Sequence, residues 1–203
     1  MSIERVSEPE IEPITLAQMK VAIREYIDLT LQDDEIEAWI ASARRWLEEH
    51  TCRTLIDTTY RLTIRDFEPA DRSVTGGPMP LPQDGILLPR SPVLEIVSVA
   101  TVDSAGDETE LEAEDYDLLD AGSKWPRVTG LTAASAVRIT FRAGYADQTS
   151  SPQTGADVVP AVFKQAMKLW VQAHHDKDKD MMDKLITAAC NLVKYENANL
   201  QLA

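Results

Sequence analysis

Cysteine is scarce in this chain: two residues in 203, Cys52 and Cys190, far apart and outside any CxxC spacing. That excludes a disulfide framework and fits free thiols in a reducing compartment, with a single bridge as the alternative. Histidine is nearly as rare, with His50, His174 and His175 the only three. No HExxH or Cys/His metal spacing can be built from them. Long apolar runs are missing: none approaches the roughly 18 residues of a membrane-spanning helix. The acidic opening MSIERVSEPEIEP has no apolar core of the kind a signal peptide needs, so a chain made in the cytosol is expected. Positive charge is short as well. Lys and Arg number 20 against 34 Asp and Glu, a formal charge of −14. That argues against a surface that grips nucleic acid phosphates, and against docking on an anionic membrane. The acidity itself needs no more than a solvated, soluble surface.

Catalytic patterns are missing too. His174-His175-Asp176 is the one metal-like cluster, but adjacent helical residues point about 100° apart and cannot easily share an ion. Polar residues at a helix end are the expectation there. Asp176, Asp178 and Asp180 alternate like part of a calcium loop, yet the required Gly and closing Glu are absent. Gly76-Gly77-Pro78 is followed by no phosphate-cradle motif. Ser91 and Ser123-Lys124 sit in no nucleophile-elbow or SxxK context. Asp115 and Asp117 cannot be assigned as acid and base from spacing alone. No catalytic residue, cofactor or metal site is expected, which turns attention from enzymes to interaction proteins.

What the chain does have is a strongly signalled central helix, 33–51, DDEIEAWIASARRWLEEHT. Ile36, Ile40, Ala43 and Leu47 form an apolar stripe at three- and four-residue steps. Trp39 and Trp46 widen it, and core packing is expected for both rings. Carboxylates crowd its first turn, where the helix dipole favours them; with Asp34 as N-cap, Glu37 would complete a capping box. An earlier helix is expected from Thr15 to about Asp28, with Thr15 as N-cap, Gln18 at N3 and Ile14 with Met19 as a hydrophobic staple. Leu16, Met19, Ile23 and Tyr26 or Ile27 would be its buried side.

Beyond Arg53 the period changes to two. Tyr60, Leu62 and Ile64 alternate with Arg61, Thr63 and Arg65 as a half-buried strand. A Pro- and Gly-rich loop over 67–85 precedes short strands at 86–89, 93–102, 109–111 and 116–119, and a clear strand in which Val137, Ile139 and Phe141 alternate with Arg138, Thr140 and Arg142. After a polar connector at 146–157, helical spacing returns with Pro160 in a first turn and Val162, Phe163, Ala166, Met167, Leu169, Trp170 and Ala173 on one face. A last helix after Asp180 carries Leu185, Ile186, Ala189, Leu192 and Val193. Asn197 to Ala203 form a short tail.

Helices, then about six strands, then helices, without βαβ alternation, make an α+β protein with a mainly antiparallel sheet. A single domain is expected: a flexible arm at 1–13, a helical bundle built from both ends of the chain (14–56 and 158–196), an inserted β lobe (58–145) and the tail at 197–203.

In this order the segments resemble a known family, the head–tail connector (adaptor) proteins of long-tailed bacteriophages and gene-transfer particles. Pro13-Ile14-Thr15-Leu16-Ala17-Gln18-Met19-Lys20 is similar to the family's "VTLAEAK"-like helix start. Residues 33–56 resemble the pattern D-x-x-I-x-x-x-I-x-A-A-x-x-x-x-E-x-x-T-x-R-x-L. Leu88-Pro89-Arg90-Ser91-Pro92-Val93 looks like "LPRPPV". Asp115-Tyr116, residues 138–145 and residues 159–166 complete the series, which covers roughly 13–175. Past residue 176 no close match to the family's closing helix is found.

The resemblance implies a structural, non-enzymatic ring of about twelve subunits beneath the portal. Its partners would be itself, the portal protein and a downstream connector, stopper or tail protein. DNA would pass through the channel unbound, and no membrane or cofactor is involved. The protein would reside in the virion neck after assembly in the bacterial host cytoplasm. A negatively charged lumen would let DNA slide without sticking. On this reading Asn197, Ala198, Asn199, Leu200, Gln201, Leu202 and Ala203 are candidates for portal or partner contact by strand addition, with a frayed terminus as the alternative. The 67–85 loop is a second contact candidate, against a plain surface loop. Arg61, Arg65, Arg138 and Arg142 are inter-subunit candidates, against solvated strand residues. Competing readings are a smaller interaction module outside the viral neck or on its tail side, and an enzyme whose site no motif reveals.

Overall fold

The computed structural model describes residues 1–24, 30–67, 85–132, 134–145, 158–176, 183–184, 186–192 and 194. The fold is α+β, and every strand pair among the described residues is antiparallel. The chain divides into two compact units: Pro9–Asp57 with Gly144–Ala203, and Met1–Glu8 with Thr58–Ala143.

In the helical unit, α1 spans Leu16–Ala22. Its start is set as the sequence predicts: the Gln18 N–H donates to Thr15 Oγ1 and the Thr15 N–H to Gln18 Oε1, both at 3.2 Å. Ile14 and Met19, the staple pair, are both buried. The helix ends earlier than expected. Ile23 caps it and Arg24 turns left-handed, at φ 60°; Tyr26 and Ile27 lie outside the described residues.

Helix α2 spans Asp33–Thr51, with Cys52 in the left-handed conformation at its C-cap. The Asp34 cap is not formed. Gln32 occupies the N-cap without a side-chain hydrogen bond, and Asp33 instead pairs with the buried Lys20 of α1 at 2.5 Å. An ion pair to the neighbouring helix thus takes the place of a local cap. Helix α3 spans Ala161–Asp176, and residues 186–192 are again helical. Ile36, Ile40, Ala43 and Leu47 of α2 share one core with Met19 of α1, Phe163, Ala166, Met167 and Val171 of α3, and Ala189.

The β unit contains β1 Ser2–Arg5, β2 Thr58–Phe67, β3 Ile86–Leu87, β4 Val93–Val102, β5 Glu108–Glu110, β6 Asp117–Leu119, β7 Arg127–Thr129 and β8 Ala134–Ala143. A five-stranded sheet runs β1-β2-β8-β4-β5, and a three-stranded sheet runs β3-β7-β6. Tyr60, Leu62, Val99, Val137, Ile139 and Phe141 from the first share a core with Ile86, Leu88 and Val128 from around the second. Two strands escape the sequence reading. The expected flexible arm at 1–13 is in part β1, registered on β2 from Ser2 opposite Thr63 to Arg5 opposite Tyr60. Arg5 also donates to the Tyr60 hydroxyl at 3.2 Å, so side-chain bonding adds to a short ladder in holding an acidic terminus. The other is β7, placed by pairing with β3 and β6.

Candidate functional site

The central polar feature of the helical unit sits where α2 gives way to the strand region. Ile40, Arg44 and Glu48 follow one another at four-residue steps, so Arg44 and Glu48 continue the apolar stripe into the core, and both are buried. The Arg44 guanidinium donates to Glu48 at 3.2 Å and to Glu12 at 2.9 Å. The second Glu48 oxygen accepts the Leu55 N–H at 2.9 Å. Thr51 Oγ1 donates to the Leu47 carbonyl at 2.8 Å and accepts the Arg53 N–H at 3.2 Å. Arg53, 2% exposed, donates to the Tyr145 hydroxyl at 2.6 Å. Buried charges persist only when paired and bonded, and this network supplies both conditions. Glu12 is the member held above the usual glutamate value of 4.5; burial raises it, Arg44 opposes that, and the Glu48 charge adds to it.

The four sheet arginines lie on one face. Register sets Arg61 opposite Thr140 and Arg138 opposite Thr63, with Arg65 two residues beyond Thr63 and Arg142 two beyond Thr140. Two of them are neutralised within the sheet. Arg138 is paired with Glu108, and Arg142 with Glu95 at 2.5 Å, while Glu4 stands opposite Arg61. Two of the four inter-subunit candidates therefore already have carboxylate partners within their own sheet. The tail candidates Asn197 to Ala203 and loop residues 68–84 lie outside the described residues.

The histidines lie in the last turns of α2 and α3, as expected of helix-end residues, and each also packs on a tryptophan. His50 stacks on Trp46 with centroids 5.5 Å apart, His174 on Trp170 at 3.7 Å, and His175 meets Trp39 edge-on at 6.0 Å. Trp39, Trp46 and Trp170 are half-buried at the rim of the helical core. Both cysteines are free thiols. Among the described residues no group of three or more His, Cys, Asp or Glu side chains could hold a metal ion, and no helix is long and apolar enough to cross a membrane.

Two surface features were missed in the sequence. One is a groove of about 410 Å³ in the helical unit, lined by Ile11, Ile14, Leu16 and Ile40 with Glu12 and Glu37. The other is Trp125, 55% exposed in the loop between β6 and β7. Carboxylates are also concentrated between β4 and β7, where Asp107, Glu108, Glu110, Glu112, Glu114, Asp115, Asp117 and Asp120 are all exposed.

No protein-family profile matches the chain, and no curated protein matches its sequence. Solved structures do share its fold. A chain in the neck of an empty gene transfer agent (GTA) particle at C6 symmetry aligns with TM-score 0.65 and 22% identity, over 87% of this chain and 84% of that one. A chain of the native GTA virion aligns with TM-score 0.67 and 21% identity, over 88% and 87%. A chain in the neck of the native particle at C12 symmetry aligns with TM-score 0.60 and 20% identity, over 93% and 94%. The aligned part covers 87–93% of this chain, so the likeness extends over most of its length.

Proposed function

We propose that this chain is a structural component of the neck of a tailed virus-like particle, and within it a head–tail connector. About twelve copies form a ring between the portal and the next connector or tail component. The observation that carries this is likeness in fold, over 87–93% of this chain, to chains of GTA necks and a GTA virion, at TM-scores of 0.60 to 0.67. It agrees with the ordered run of motif resemblances from Pro13 to Ala166.

Composition supports the same role. A formal charge of −14 suits a ring whose lumen repels passing DNA, as sequence-independent binding requires clustered cations. The tail at Asn197–Ala203 reaches the portal by adding a strand, and the loop at 67–85 reaches a neighbouring subunit or the tail side. Arg61 and Arg65 pair across the subunit boundary, with Arg138 and Arg142 contributing through their existing carboxylate partners. No catalysis and no cofactor enters this role.

Labelling tests the assignment. Antibody-coated gold against the chain is expected at the single head–tail junction of intact particles. Label spread over the capsid or along the tail would overturn the connector role.

A further inference from the structure

We infer that copies of this chain meet head to tail, with Lys124-Trp125 of one copy seated in the Ile11–Ile40 groove of the next. This deepens the ring reading and rests on it. A ring needs a heterologous contact, two different patches that complement each other, whereas a twofold dimer uses one patch twice. The chain carries such a pair.

The projecting half is preorganised. Trp125 is 55% exposed, yet its loop is fixed. Its N–H donates to Ser123 Oγ at 2.9 Å, the Ser123 N–H donates to the Asp120 carbonyl at 2.9 Å, and Arg127 bridges to Asp120 at 2.9 Å. Pro126 behind it is buried. Lys124 lies 5.2 Å from the centroid of the indole ring, and among the described residues it has no ion pair. A rigid, exposed tryptophan beside a cation is the type of side chain that dominates interface energies.

The receiving half is concave and apolar with an acidic rim. Its volume of about 410 Å³ falls within the roughly 300–1,000 Å³ of sites that bury a small ligand, enough for one indole. Glu12 at its edge is already held by Arg44. Glu37 is exposed and has no ion pair among the described residues. An unpaired Lys beside an exposed ring thus finds an unpaired Glu beside an apolar groove. Opposite charges at the edge of such a contact set partner choice and register.

The test uses the full-length chain in assembled particles, with copies per purified particle as the readout. Trp125→Ala, Lys124→Glu and Glu37→Lys are each expected to lower incorporation about tenfold, the scale of losing a central interface contact. Lys124→Glu combined with Glu37→Lys is expected to restore it. Unchanged incorporation of the single variants would overturn this contact while leaving the neck assignment standing. Losses that the double swap fails to restore would also overturn it, since the two residues would then serve different partners. Absence of the wild-type chain from particles would remove the neck assignment itself, and this contact with it.

Discussion

Arg53 and Tyr145 are 92 positions apart, and the Arg53 guanidinium donates to the Tyr145 hydroxyl at 2.6 Å. The Tyr145 N–H also donates to the Leu55 carbonyl, at 3.3 Å. Between these residues the chain makes its whole excursion into strands β2 to β8, so the pair joins the outgoing and returning segments. Removing the hydroxyl leaves a buried cation short of one acceptor. Tyr145→Phe is expected to lower unfolding free energy by about 1–3 kcal/mol in urea melts, without changing secondary structure content.

Glu48 carries a heavier task, since it accepts from both Arg44 and the Leu55 backbone. Glu48→Ala removes one of the two carboxylates on the buried Arg44 guanidinium, leaving Glu12, and orphans the Leu55 N–H. A loss of about 3–5 kcal/mol is expected from chemical denaturation, larger than for Tyr145→Phe. Equal losses would mean that the Glu48 contacts contribute little beyond packing.

Helix α1 offers a smaller and more local case. Thr15→Ala removes one half of the Thr15–Gln18 capping pair, and a loss of about 1 kcal/mol is expected. Thr15→Ser keeps the hydroxyl and is expected to retain most of the stability.

Glu12 gives the pH dependence its sign. Its value lies above 4.5 in the folded chain, so the folded state holds this proton more tightly than the unfolded chain does. Its contribution to stability is therefore fully present below pH 4.5 and is lost as pH rises through the raised folded value. Comparison with Glu12→Gln isolates the effect from the other carboxylates. The stability of the natural chain relative to Glu12→Gln is expected to fall as pH climbs from 4.5. A difference that grew with pH would show that the Arg44 pair outweighs burial.

Much of this architecture was legible because it rests on repeating apolar spacing. The stripe from Ile36 to Leu47 placed α2 at its observed limits, and the alternations around Leu62 and Ile139 placed β2 and β8. Local side-chain chemistry placed the start of α1 at Thr15. Features depending on partners distant in sequence were not legible. Asp34 has the residue type of a cap, but Lys20 on another helix draws Asp33 into an ion pair. Ser2–Arg5, with Ile3 its one apolar residue, is too short to signal a strand, and only β2 makes it one. Arg44 and Glu48 have surface composition in a buried register; their four-residue spacing from Ile40 was the available signal. The E-x-x-T-x-R-x-L stretch has a physical meaning in this fold. Glu48, Thr51 and Arg53 carry the hydrogen bonds that end α2 and start the strand region, while Leu55 packs in the core. The groove and Trp125 were missed for a different reason: neither an exposed ring nor a concavity leaves a periodic trace.

The role proposed for this chain is that of a ring component of a particle neck. The most direct measurement is the copy number and symmetry of the chain in necks isolated from purified particles, by native mass and image reconstruction. About twelve copies around one axis at the portal vertex are expected. Particles with complete necks that lack this chain would contradict that role.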